Sequence, residues 1–113
     1  MTGVSDLTGE VTNSAEAQWG GLVISGLAQQ INCNFDDIGT AACTAEGEGA
    51  SGRYGGTDNA DDSGTMRYFQ VKYAGKKFND EDELNGIAFQ AVGSGTVVEY
   101  VQVHNGSDDG IEF

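Results

Sequence analysis

The sequence predicts an all-β domain of the β-solenoid kind, with short strands stacked in parallel and a long loop holding two cysteines. Three observations carry this. First, the stretch Glu83–Phe113 holds apolar and β-branched runs at Gly86–Val92 and Thr96–His104, with a partial third at Gly110–Phe113. Each is bounded by Gly, Asn, Asp or Ser, the pattern of strands separated by tight turns. Second, the chain echoes itself. Arg67-Tyr-Phe-Gln-Val-Lys72 resembles Glu99-Tyr-Val-Gln-Val-His104, and each follows a Ser-Gly-Thr, at Ser63–Thr65 and Ser94–Thr96. Asn85-Gly-Ile-Ala-Phe89 likewise resembles Asp109-Gly-Ile-Glu-Phe113, 24 residues on. Repeats of that period with strand content and glycine turns point to stacked rungs. Third, 18 glycines suit many tight turns, and the absence of proline removes a common way of blocking edge strands. The rival is an antiparallel sandwich whose strands merely share β-preferred residues.

The 113 residues make a single domain, 1–113, with a modest core. Residues 1–16 are small and polar and form a weakly structured entry segment. Trp19–Gly26 is the first firm strand. Its continuous Leu22-Val23-Ile24 run fits a strand covered on both faces better than an alternating edge strand. Residues 32–63 read as one long acidic, Gly-rich loop, with Tyr54 as an anchor. Thr65–Gly75 then alternates, placing Phe69, Val71 and Tyr73 on one face and Tyr68, Gln70 and Lys72 on the other. Lys76–Leu84 is a charged excursion before the last strands.

Composition narrows the partners. With 18 acids against 5 bases the formal charge is −13, which disfavours nucleic acid and anionic membranes by repulsion. Cations are favoured, and the plainer account is an acidic surface kept for solubility. No apolar run is long enough to span a membrane. The opening MTGVSDLTGE lacks the basic and apolar regions of a signal peptide. The chain is then cytosolic, or the mature part or a fragment of an exported protein. Cys33 and Cys43 have no histidine near them, so zinc lacks ligands. A disulfide closing a short loop is the simpler account and favours export; two buried free thiols are the alternative.

Three acidic clusters are candidates for chemistry: Asp58/Asp61/Asp62, Asn79–Glu83 and Asp108/Asp109/Glu112. Ca²⁺ takes six to eight oxygens at flexible geometry, which acid-rich loops with nearby carbonyls supply. We therefore name Asp58, Asp61, Asp62, Asp108, Asp109 and Glu112 as metal candidates, with Ca²⁺ the cofactor. Against them stands the ordinary use of Asp and Asn as turn caps. Paired carboxylates also serve glycoside hydrolysis, for which Asp61, Asp62, Asp108 and Asp109 qualify, although adjacent residues on a strand point to opposite faces. No basic residue is firmly placed to abstract a proton, as a lyase would need; Arg53 and Lys72 are isolated candidates. His104 is a lone histidine with Ser107 or Asp108 as conceivable partners, and reads better as a turn residue. The aromatics Trp19, Tyr68, Phe69, Tyr73, Phe89 and Tyr100 fit a stacked core better than a sugar-binding strip. Gly20-Gly21 and Gly55-Gly56 are no phosphate loop, because no lysine or helix start follows.

Taken together, WGGLVISG, the two-cysteine loop, GEG…YGGTDNADDSGTMRYFQVKYAG and ELNGIAFQAVGSGTVVEYVQVHNGSDDGIEF resemble a family of bacterial secreted proteins and lipoproteins, from about residue 17 onward. That resemblance implies a short right-handed parallel β-helix of the pectate-lyase-like type, with Cys33 and Cys43 matching a cysteine pair in the family's loop. It implies an extracellular or cell-surface setting. It also implies longer relatives with further rungs, this chain matching an N-terminal portion. A solenoid ending at Phe113 leaves an open sheet edge, and the expectation is self-association through that end, checked by light scattering. The expected function is a non-catalytic extracellular structural or binding module with Ca²⁺-binding turns. The alternative is a carbohydrate-active remnant acting on polysaccharide through paired Asp residues in a groove.

Overall fold

The computed structural model describes residues 1–3, 7–9, 17–77, 79 and 83–113. Among these residues seven strands follow one another: β1 (Leu22–Ser25), β2 (Ala45–Glu46), β3 (Arg53–Tyr54), β4 (Thr65–Lys72), β5 (Ile87–Gln90), β6 (Val97–His104) and β7 (Ile111–Glu112). Two single 3-10 turns, Phe35–Asp37 and Glu48–Ala50, lie among them. The pairing decides the architecture. β1, β5 and β7 form one parallel sheet in that order, and β4 and β6 form a second parallel pair. An antiparallel sandwich is excluded for these strands.

The internal echo is the register itself. Arg67 pairs with Glu99 and Lys72 with His104, while Ile87 pairs with Ile111 and Ala88 with Glu112. Like therefore lies beside like. The Gln70 amide donates to the Gln102 side chain at 2.7 Å, and Arg67 meets Glu99 at 3.2 Å. The Ser-Gly-Thr repeat is offset by one position, because Thr65 pairs with Val97 rather than Thr96.

The core sits between the two sheets. Val71, Ala74, Ile87 and Phe89 are buried, and Trp19, Leu22, Ile24, Met66, Phe69, Val92, Val101 and Val103 pack around them. β5, the middle strand of its sheet, is buried at Ile87, Ala88 and Phe89, the continuous apolar reading of a strand covered on both faces. β1 was expected to share that position. It lies instead at the sheet edge with half-buried Leu22, Val23 and Ile24, because among the described residues only β5 pairs with it.

The alternation expected along Thr65–Gly75 holds from Phe69 to Tyr73 and breaks before it. Tyr68 takes the left-handed conformation, φ 54°, so Arg67 and Tyr68 both stay outside while Met66 and Phe69 pack inward. Tyr100, beside it on β6, does the same at φ 54°. The two rings stack at 4.5 Å and 2°. Backbone strain of this kind is uncommon for an aromatic residue, and here it recurs on both neighbouring strands.

One edge of β4 is covered by the amino-terminal segments. The Lys72 N–H donates to the Met1 carbonyl at 2.9 Å, Gln18 N–H to Tyr73 at 2.7 Å, and the Trp19 indole to Lys72 at 2.6 Å. Of the entry segment, residues 4–6 and 10–16 lie outside the described residues. Gly21, at φ 135°, shows how closely the chain segments approach: a Cβ there would lie 2.2 Å from the Asn85 carbonyl oxygen.

The long loop is more ordered than its composition suggests. β2 and β3 form an antiparallel hairpin inside it, with Ala45 opposite Tyr54 and Glu46 opposite Arg53. The Arg53 guanidinium ties this hairpin to Thr44, donating to its hydroxyl at 2.6 Å and its carbonyl at 3.2 Å. A disulfide joins Cys33 and Cys43, with Cα atoms 5.2 Å apart. Two free thiols are thereby excluded. Among the described residues from Leu22 onward, regular structure is thus strand apart from the two 3-10 turns.

Candidate functional site

The acidic residues singled out from the sequence are placed first. Asp58 Oδ1 accepts the Ala60 N–H at 3.1 Å, and Asp62 Oδ1 accepts the Gly64 N–H at 2.8 Å. Both are turn caps of the kind Asp makes with its own backbone two residues on. Asp61 does more. Its carboxylate accepts the Ser63 hydroxyl at 2.6 Å and the Gly93 N–H at 3.3 Å, tying this loop to the turn after β5. The Ser63 hydroxyl, seconded by the Gly93 and Leu27 N–H groups, holds the Asp61 carboxyl below its ordinary value against a smaller desolvation cost. A carboxyl held ionised in this way is a poor general acid.

In the carboxy-terminal cluster, Asp108 and Asp109 are exposed. Glu112 accepts a hydrogen bond from the Asn85 amide, whose residue is buried. Of the Asn79–Glu83 cluster, Asp80, Glu81 and Asp82 lie outside the described residues, and Glu83 pairs with Lys77. That carboxylate raises the Lys77 pKa, first by hydrogen bonding and then by its charge. Among the described residues, no three His, Cys, Asp or Glu side chains converge on one point.

The other candidates also have structural partners. The His104 ring stands edge-on to Tyr73 at 5.5 Å, and the Ser107 hydroxyl donates to the Gly75 carbonyl at 2.5 Å. Lys72 lies over the Tyr73 ring at 5.1 Å, and Arg53 serves the hairpin. The aromatics divide. Tyr73 and Phe89 are buried, Trp19 and Phe69 half-buried, and Tyr68 and Tyr100 exposed. The stacked tyrosines cover one ring face each with the other ring, which reduces the flat area a sugar strip would offer.

A cleft of about 410 Å³ brings together residues that the sequence reading left apart, the metal candidate Glu112 and the loop anchor Tyr54 among them. It lies between β5, β7 and the disulfide loop. Ala88, Phe89 and Gln90 come from β5, Glu112 from β7 and Phe113 from just after it, and Asn32, Glu46, Glu48 and Tyr54 from the loop, with Gln30 just before it. Its volume falls within the ~300–1,000 Å³ typical of small-molecule sites. Two contacts shape the loop wall. The Gln30 amide donates to the Cys43 carbonyl at 3.0 Å, linking the cleft wall to the disulfide. Asn32 donates to the Tyr54 hydroxyl at 3.2 Å. On the opposite wall Gln90 accepts the Ser25 hydroxyl at 3.1 Å. A Cβ on Gly47 would lie 2.6 Å from the Gln90 side-chain oxygen, so the loop backbone sits directly on that amide.

Phe113 stacks on Phe89 with ring centres 5.5 Å apart and planes 19° apart, yet remains 92% exposed. The only local signal for this cleft was the Glu46-Gly-Glu48 pair inside the Gly-rich loop.

No helix among the described residues is long and apolar enough to cross a membrane. No curated protein and no solved structure matches the chain. The family model of the pectate-lyase-like β-helix domain matches residues 6–113. That match spans nearly the whole sequence and agrees with the parallel pairing of β1, β5 and β7 and of β4 and β6, so the chain belongs to the pectate-lyase-like β-helix domain family.

Proposed function

We propose that this domain is a non-catalytic extracellular module, structural and binding in role, whose rungs wind as a short right-handed parallel β-helix. The observation that carries the reading is the employment of its acids. Asp58, Asp61 and Asp62 hold turns together through backbone and hydroxyl groups rather than facing one another as an acid and a base. A disulfide in the longest loop suits an oxidising compartment, which supports the extracellular setting. Among the described residues β6 pairs on one side only and offers an eight-residue edge without proline or lysine for strand addition by a further rung or a second copy. Light scattering over a concentration series tests the second-copy arm.

The proposal keeps Ca²⁺ as a counter-ion of the acidic turns at Asp58–Asp62 and Asp108–Glu112. One or two carboxylates would be completed by backbone carbonyls and water. Thermal melts with excess Ca²⁺ and with chelator, at matched ionic strength and without reductant, test it. A rise of several degrees is expected with Ca²⁺, because an ion that binds the folded state preferentially stabilises it. Coincident melts would remove Ca²⁺ from the proposal and return the acids to solubility and capping.

A second reading, a carbohydrate-active remnant, is favoured by the family match and by the gathering of Glu46, Glu48 and Glu112 at one cleft. Release of new sugar ends from a polysaccharide panel would support it. Loss of that activity in Asp61→Asn or Asp109→Asn would place the chemistry at the paired acids. The non-catalytic reading expects no release.

A further inference from the structure

The cleft beside the disulfide loop has wall chemistry that selects a ligand. Among the described residues its lining carries three carboxylates, Glu46, Glu48 and Glu112, and no lysine, arginine or histidine. Glu46 Oε1 accepts the Gly52 N–H at 3.2 Å, and Arg53 stands 4.0 Å from Oε2 on the exposed side. The remaining walls supply hydroxyl and amide groups and an aromatic surface. Tyr54 accepts from Asn32 and so retains its own O–H proton to donate. Gln90 accepts from Ser25 and carries two amide donors. Phe113, stacked on Phe89 through one side, is exposed over nearly all its surface.

We propose that this cleft binds a glycan segment whose sugars carry protonated amino groups, an inference that rests on the binding-module reading. A carboxylate pairs with an ammonium through charge-assisted hydrogen bonds. Amide and phenol groups pair with ring hydroxyls, and an exposed aromatic face attracts both the C–H face of a sugar and a nearby cation. A uronate has the opposite fit. Its carboxylate meets no basic group in the lining and approaches a chain of formal charge −13. A lysine peptide matches the charge but lacks the flat hydroxylated ring. The ligand class is therefore set by three features together: charge sign, hydroxyl pairing and an aromatic face.

The test is a calorimetric titration of the whole chain, at about 0.15 M salt to damp long-range attraction, with four probes. These are a glucosamine tetramer, a cellotetraose, a galacturonate tetramer and a tetralysine peptide. The glucosamine tetramer should bind tightest, at least about tenfold above cellotetraose, since a hydrogen bond to a charged group is worth that factor or more. The galacturonate tetramer should not bind. Glu48→Gln/Glu112→Gln should weaken glucosamine binding by about tenfold or more. Asp36→Asn/Asp37→Asn removes the same charge outside the cleft lining and should change it little. Phe113→Ala, at an exposed position, supplies a second variant in which folding is not at stake.

Absence of glucosamine binding would overturn the proposal, as would tetralysine or galacturonate binding as tightly. Equal weakening by the two charge variants would reduce the attraction to bulk charge and overturn it too. Those failures leave the module reading standing. Cleavage of the glucosamine tetramer, by contrast, would sink the non-catalytic reading while supporting the ligand class.

Discussion

Replacing Ile87 by alanine is expected to destabilise the domain by about 2–5 kcal/mol, the cost of removing a buried isoleucine and leaving a cavity. Ile87 is fully buried and sits in the middle strand of the three-stranded sheet, with Leu22 on one side and Ile111 on the other. Across the core it belongs to the cluster formed with Val71, Ala74 and Phe89. A strand held on both edges and both faces has little freedom to close the gap, which argues for the upper part of that range. For a domain near 100 residues each kcal/mol lowers Tm by roughly 4–8 °C, so the shift should be read easily in a thermal melt. Val98→Ala is the comparison. Val98 is a strand residue that is 39% exposed, and its loss should cost under about 1 kcal/mol. Equal costs for the two variants would mean that the β1-β5-β7 sheet does not face the core as described.

Loss of the Cys33–Cys43 bridge is the second large expected effect. The bond joins cysteines at a sequence separation of 10, for which the chain-entropy account gives ~2–3 kcal/mol. Cys43 is buried and Gln30 is fastened to its carbonyl, so the bridge also anchors one wall of the cleft. Adding reductant should lower Tm of the native protein and leave the Cys33→Ala/Cys43→Ala variant unmoved. That variant should melt close to the reduced native protein. Should reductant fail to shift the native melt, the loop would have to be held by its hairpin and its hydrogen bonds, those of Arg53, Gln30 and Asn32 among them. The cleft predicts a further consequence: any ligand bound between Gln90 and the loop should bind more weakly once the bridge is gone.

Much of the architecture was legible in the residues because it is local or repetitive. Runs such as Val97–His104 declare strands through β-branched content and flanking turn residues. The two echoes, Arg67–Lys72 with Glu99–His104 and Asn85–Phe89 with Asp109–Phe113, became the strand registers. Parallel stacking places equivalent positions of successive rungs side by side, so a repeat in sequence becomes a neighbour in space. The turn-capping use of Asp58 and Asp62 was equally visible, since an Asp two residues before its N–H partner needs no tertiary contact.

What tertiary structure alone decided is of another kind. The cleft joins Gln30 and Asn32, Glu46 to Tyr54, Gln90 and Phe113, stretches brought together only when the strands stack. No spacing in the chain encodes that meeting. Tyr68 and Tyr100 are two alternation-breaking residues with φ near 54°, and nothing in an aromatic side chain announces a left-handed backbone. The edge position of β1 depended on which strand paired with it, while its apolar run was compatible with either place. Asp61 shows the boundary within a single residue: its bond to Ser63 is local, and its bond to Gly93 exists because the fold brings the turn after β5 beside it. Short-range hydrogen bonding and β-propensity are written in the order of residues, whereas a site assembled across rungs is written only in their stacking.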